Sequence, residues 1–511
     1  MQTSSSKQVG TDPCGIRITR TRYGIIRGMR EIDDRMFTTG RRGFLAGAAA
    51  LAAAPSVRAE ASAPAAPQAQ DAGAFDVCVV GGSCTGVFAA VRAAAAGMRV
   101  ALVERNYFFG GTATAGFVPV WHSLFSLDGS RRIVGGYTQQ VIERLAAKGL
   151  ATLHDAKNGR SESVHCFFNP AALQDELDWM VQASGVRTFF GASFVAAEVD
   201  RPGHVTRAVI EDKSGRRAIA AKFFVDCSGD GDLVARAGFE TWKPPRERLQ
   251  AHTLCALVTG VERLRGKHPK FSFDELMKPS SGAKLNHVFQ WWAPVPGCPE
   301  ATMLAATRVS ACDPTDADDL THGMFEARAQ LGRIVAAANR VFPTDGPGLQ
   351  VVAVAPEMGL RESRHLCGLY RVTGEDVLSG REYPDVIAKG TYRVDIHEGK
   401  GIKFRYLDGR EWEMVQDLAT GDIKVRNGRW RPEGPNPECY QVPYRSIVPK
   451  GSENVLAAGR MLDADREAYG ALRVMVNCNQ MGEAAGAAAA KAVKERLAAP
   501  DAYPGFVSAP A

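Results

Sequence analysis

Three short stretches hold side chains able to grip a small molecule and move a proton on it. Residues 359–368 read GLRESRHLCG, residues 392–397 read YRVDIH, and residues 441–445 end in Tyr444-Arg445. The guanidiniums of Arg361, Arg364 and Arg445 can each bind a carboxylate through two parallel N–H···O bonds. His365, His397, Tyr392 and Tyr444 can give or take a proton. Structural duty competes for the same residues: Arg361, Glu362 and Arg364 could form an ion-pair network, and Asp395 with His397 could cap a turn.

Such groups need a scaffold, and residues 75–111 describe one. The run Val77–Val80 is apolar and β-like and ends in Gly81-Gly82-Ser83-Cys84-Thr85-Gly86. An alanine-rich helix and a second strand, Val100–Val103, follow, with Glu104 at its end. A strand–helix–strand unit of this kind holds a dinucleotide. Gly81 permits the tight turn, the helix N-terminus faces a pyrophosphate, and Gly86 lets helix and strand approach. Glu104 can accept hydrogen bonds from a ribose diol. Ser83 stands where the pattern has its middle glycine; it is small and can itself donate a hydrogen bond. No second glycine fingerprint is present, so a single nucleotide is expected and no nicotinamide site.

Arg105 leads into a further glycine pair, Gly110-Gly111, and Thr112. Here the chain resembles the FAD-dependent oxidoreductases related to the flavoproteins of fumarate reductase and of heterodisulfide reductase. The likeness continues through the helix-like segment 169–185 and a strand at 188–190. It extends to 226–233 (DCSGDGDL), to the Arg361, Tyr392 and Tyr444 segments, to 454–460 (NVLAAGR) and to 482–486 (GEAAG). The resemblance implies FAD as cofactor. It puts Gly229, Asp230, Gly459 and Arg460 near it and makes Gly482 part of a closely packed helix. It also implies that a helix starting near Leu472 points its positive end at the flavin ring. His122, beside Trp121, could face the flavin or be linked to it; a structural histidine is the plainer reading.

Composition narrows the function further. At 45% hydrophobic and 23% charged residues the chain reads as a soluble globular protein. Ten of its lysines and arginines and five of its acids fall in residues 1–60, so its net charge of +6 is mostly local and the remainder is nearly neutral. A nucleic-acid partner is not expected. The local excess surrounds Arg41-Arg42, which precede an eleven-residue apolar run, 44–54, and small residues near 59–61. This reads as a twin-arginine signal handled by the Tat translocase and implies a periplasmic enzyme. The run is too short for an integral membrane segment, which needs ~20 residues. Met36 would put the arginine pair close to a start. Among eleven cysteines there is no C-x-x-C. No iron–sulfur cluster or other metal site is expected, and Cys78, Cys84 and Cys227 read as small buried hydrophobes.

The expected architecture is α/β. A discontinuous Rossmann-like nucleotide domain (75–245 and 441–495) carries an inserted α+β substrate or cap domain (246–440). Residues 1–70 form an extension, signal and linker, and 496–511 a tail. The expected activity is hydride or electron transfer between a small-molecule substrate and a non-nicotinamide acceptor or donor: oxygen, a quinone or a redox protein. Two alternatives stand beside it: an electron-transfer flavoprotein docking on a redox partner, and a non-catalytic nucleotide-binding scaffold.

Overall fold

The structure is a computed structural model. It describes residues 69–153, 165–283, 285, 289–398, 401–417 and 422–510. The twin-arginine segment and its apolar run lie outside the described residues.

Strand β1 (Gln70–Val80) is followed by helix α1 (Cys84–Ala95) and strand β2 (Val100–Val103). Helix α2 (Pro170–Ala183) leads to β3 (Arg187–Phe189), then β4 (Ser193–Arg201), β5 (His204–Asp212) and β6 (Gly215–Asp226). Together they form one sheet in the order β3-β2-β1-β6-β5-β4. The first four are parallel, while β4, β5 and β6 run as an antiparallel meander. β6 is shared along its length. Its first half pairs with β5, and Phe224–Asp226 pair in parallel with β7 (Val455–Ala457), which returns from far along the chain.

The sheet is covered on both faces, which is why its central strands are apolar without alternation. Val77, Val79 and Leu102 pack toward the alanines of α1. Cys78, Val80 and Val103 pack on the opposite side with Phe224 and Ile210. Helix α3 (Met475–Glu495) lies against α1 on the first face. The expected helix start near Leu472 is corrected. Arg466–Leu472 is a separate short helix capped by Asp465, and Val474 is extended, so α3 begins at Met475.

Besides two short two-stranded sheets, the described residues between β6 and β7 build two four-stranded antiparallel ones. One joins Trp291–Val295, Cys298–Ala305, Ala256–Thr259 and Gln350–Val354, and the long helix Ala317–Val341 accompanies it. The other joins Val394–Glu398, Gly401–Arg405, Arg410–Gln416 and Ile423–Arg429. Among the described residues no helix is long and apolar enough to cross a membrane.

Candidate active site

The glycine turn after β1 opens a cavity of about 340 Å³ at the C-terminal ends of the parallel strands. Gly81 has φ +103°, and a Cβ there would sit 2.4 Å from the Cys227 carbonyl oxygen. Only glycine fits. Ser83 precedes α1 without making a side-chain cap bond. The first-turn N–H groups of the helix are therefore left for an anionic ligand, as a pyrophosphate requires.

Gly81, Ser83, Glu104, Arg105, Gly110, Gly111, Thr112, Gly229, Asp230, Gly459 and Arg460 all line this cavity. Glu104 also braces the turn: its two oxygens accept from the N–H groups of Gly82 and Asn106, each at 2.7 Å. Burial pushes its pKa up against those bonds. Arg105 forks onto Glu357 at 2.9 and 2.7 Å. Arg460 donates to Asp230 and, at 2.9 Å, to the Ser363 hydroxyl. Burial opposes the Asp230 charge, but Arg460 outweighs it and holds the pKa below the usual range. Asp226, at the end of β6, accepts from Ser228 N and Oγ and from Leu233 and Val234 N, which fixes the Gly229–Asp230 loop.

Gly82, Gly86 and Gly482, counted with the cofactor-binding segments in the sequence, lie outside the cavity lining. A Cβ on Gly86 would lie 1.8 Å from Gly81 O, and one on Gly482 2.2 Å from Thr85 O. Gly86 lets α1 close on the turn after β1, and Gly482 lets α3 approach the start of α1. Cys78 is buried in β1, whereas Cys84 and Cys227, also buried, reach the cavity wall.

A second cavity, about 310 Å³, adjoins the first. Thr112, Leu360, Arg460, Arg473 and Met475 border both. Trp121, Phe289, Trp291 and Phe404 give it flat apolar walls. Its polar side gathers Arg361, Tyr392, Asp395, His397 and Arg473. His397 Nε2 stands 2.8 Å from Asp395 Oδ1, and the Tyr392 hydroxyl donates to Asp395 Oδ2 at 2.9 Å. Arg473 donates to the carbonyl oxygen of Asp395 at 3.1 Å and stands 3.3 Å from its carboxylate. Burial disfavours the Asp395 charge, but the hydrogen bond from His397 and the Arg473 and Arg393 charges hold its pKa well below the usual carboxylate range. Burial drives His397 down to about 3 in spite of Asp395, so its imidazole is neutral. His122 also lines this cavity. Its ring is 5.3 Å from that of His165, and burial keeps it neutral, with a pKa of about 3.

Of the residues expected on the substrate side, Arg361 and His397 meet in this cavity. The other three are corrected, since none lines either cavity. Arg364 is held by Asp232 and the Asp230 carbonyl, each at 3.0 Å. Tyr444 is buried and donates to Ala499 O at 2.6 Å. Arg445 is paired with Asp385. Their segments read as chemistry because Arg and Tyr are equally useful as braces. Arg473 was missed; it precedes an alanine-rich helix, and the break at Val474 that turns it toward both cavities has no sequence signature.

A family model described as FAD dependent oxidoreductase matches residues 76–502. The chain belongs to that family. FAD dependent oxidoreductases are flavin enzymes, and the cradle around Gly81, Glu104, Asp230 and Arg460 fits FAD. Among solved structures this family member is similar to a geranylgeranyl bacteriochlorophyll reductase-like protein from Thermoplasma acidophilum. Identity is 13%, over 83% of this chain and 79% of that one, with a TM-score of 0.41. It is similar also to the myxobacterial chondrochloren halogenase CndH, at 13% identity, 84% and 77% coverage and a TM-score of 0.42. A third likeness is p-nitrophenol 4-monooxygenase PnpA from Pseudomonas putida DLL-E4, at 10% identity, 84% coverage of both chains and a TM-score of 0.39. No curated protein matches the sequence.

Proposed function

We propose that this chain is an exported FAD-dependent oxidoreductase. It moves hydride or electrons between a small molecule in the second cavity and a non-nicotinamide partner: oxygen, a quinone or a redox protein. The observation that carries the reading is the wall shared by the two cavities. A substrate held among Trp121, Phe289 and Phe404 lies next to the flavin site, across Thr112 and Arg460. FAD, when bound, supplies the two-electron chemistry. The protein's own part is to hold the substrate, keep out water, and offer the Asp395–His397–Tyr392 group for the accompanying proton. A pure electron carrier needs no such chamber, which disfavours that alternative.

The lone glycine fingerprint supports an electron partner other than NAD(P)H. The ordered segments from Glu104 to Gly486 support kinship with the flavoproteins of fumarate reductase and of heterodisulfide reductase. Export rests on Arg41-Arg42 and the apolar run after them.

Purified protein should be yellow, and an oxidisable substrate should bleach it anaerobically, with artificial quinones restoring the colour. Rapid bleaching by NADPH would overturn the choice of electron partner. Periplasmic accumulation of an Arg41→Lys, Arg42→Lys precursor at the normal level would overturn export.

A further inference from the structure

The second cavity has an uneven charge balance. Four guanidiniums line it, those of Arg361, Arg393, Arg460 and Arg473, against a single carboxylate, Asp395. Three of them are engaged: Arg460 with Asp230, Arg473 with Asp395, and Arg393 over the Phe404 ring at 4.1 Å. Arg361 differs. Its guanidinium donates to the Ala251 carbonyl and to the Thr253 hydroxyl, both neutral. No carboxylate among the described residues pairs with it. Burial lowers its pKa to about 10, the neighbouring Arg473 charge adds to this and the more distant Asp395 charge opposes it, so it stays charged at neutral pH. Both histidines in the wall are neutral. A half-buried cation with no carboxylate in contact, and only the shared Asp395 nearby, leaves room for a ligand to supply the missing charge.

We infer that the substrate is a small organic acid, its carboxylate bound to Arg361 and its flat apolar body held among Trp121, Phe289, Trp291 and Phe404. The cavity, about 310 Å³, lies at the small end of ligand sites, roughly 300–1,000 Å³. An acid would also act on its neighbour. The positive charges of Arg361 and Arg308 help hold His397 deprotonated. Neutralising Arg361 would raise the basicity of His397 and so prepare it to take the substrate's proton. This inference rests on the second cavity being the substrate chamber, as proposed above.

The test uses holoenzyme and three probes: benzoate, benzamide of the same shape without the charge, and acetate without the ring. Binding is read from the change in flavin absorbance. Benzoate should bind about tenfold or more tightly than benzamide, the usual margin of a charge-assisted pair, and more tightly than acetate by the burial of its ring. Arg361→Met should lose that margin, while Arg361→Lys keeps part of it and Arg445→Met, outside both cavities, keeps all of it. Equal binding of benzamide and benzoate would overturn the anchor, as would unchanged benzoate binding in Arg361→Met. The comparison of probes on the native enzyme stands whether or not the variants fold. Because the reading needs no turnover, it is independent of the electron partner. Bleaching by a neutral substrate that binds normally to Arg361→Met would leave the oxidoreductase reading intact and remove the acid.

Discussion

At the scale of single residues, His252 shows how protonation and position are linked. Its Nδ1 accepts from the Arg361 N–H at 3.2 Å, and its Nε2–H lies 3.0 Å from the Cys312 carbonyl oxygen. A second proton on Nδ1 would face that N–H, and burial already holds the pKa at about 4. The unfolded chain binds this proton near pH 6.5. His252 therefore contributes its full stability above pH 6.5, and the contribution is lost as pH falls toward 4. The loss is ~1.4 kcal/mol per pH unit within that window. His252→Gln keeps the donor to Cys312 but does not titrate. Its stability deficit against the native protein, measured by denaturant unfolding, should shrink between pH 6.5 and 4.5. A gap that stays constant would show that His252 is protonated in the folded protein.

At the scale of elements, the approach of α1 to α3 depends on glycines rather than on side-chain fit. Gly482→Ala places a methyl group against the Thr85 carbonyl, and only a shift of a helix can relieve it. Overpacking of this kind costs ~1–3 kcal/mol. Because Thr85 lies in the first turn of α1, flavin retention should fall along with the thermal midpoint. Gly332→Ala is the control: it lies in the helix Ala317–Val341 with open space around its Cα, and should be neutral or stabilising by about 0.5–1 kcal/mol. If Gly482→Ala retained full flavin and the native midpoint, the packing role would be wrong.

The nucleotide elements were legible because each has a local cause. Val77–Val80 and Val100–Val103 are continuous apolar runs, as doubly covered strands must be, and Gly81 marks a backbone position closed to other residues. The chamber was legible only in part. Arg361 and His397 stood out by type. Nothing local separates Arg361, which makes no direct ion pair among the described residues, from Arg445, which meets Asp385 sixty residues away. Gly470, whose Cα lies close enough to the Asp395 backbone to exclude a Cβ, brings Arg473 beside that carboxylate, again through a long-range contact.

For the whole molecule, the cofactor site draws on both ends of the described chain. Its walls come from Gly81 and residues 83–85 of the turn, the β6 loop at 227–230, Glu357 and the 458–460 turn. FAD should accordingly stabilise the protein as a unit. At a hundredfold excess over its Kd the gain is ~2.7 kcal/mol. Stripping the flavin should lower the thermal midpoint by a few degrees in one cooperative step, and adding FAD back should restore it. Separate melting of the middle block with the flavin still bound would contradict that unity.

The wall of Thr112, Leu360, Arg460, Arg473 and Met475 makes each occupant part of the other's boundary. Reciprocity then holds: whatever factor the flavin adds to the grip on an acid, the acid returns to the grip on the flavin. Enzyme kept without its acid would shed cofactor sooner than enzyme kept with it. The flavin content of a preparation thus becomes a record of what it was stored with.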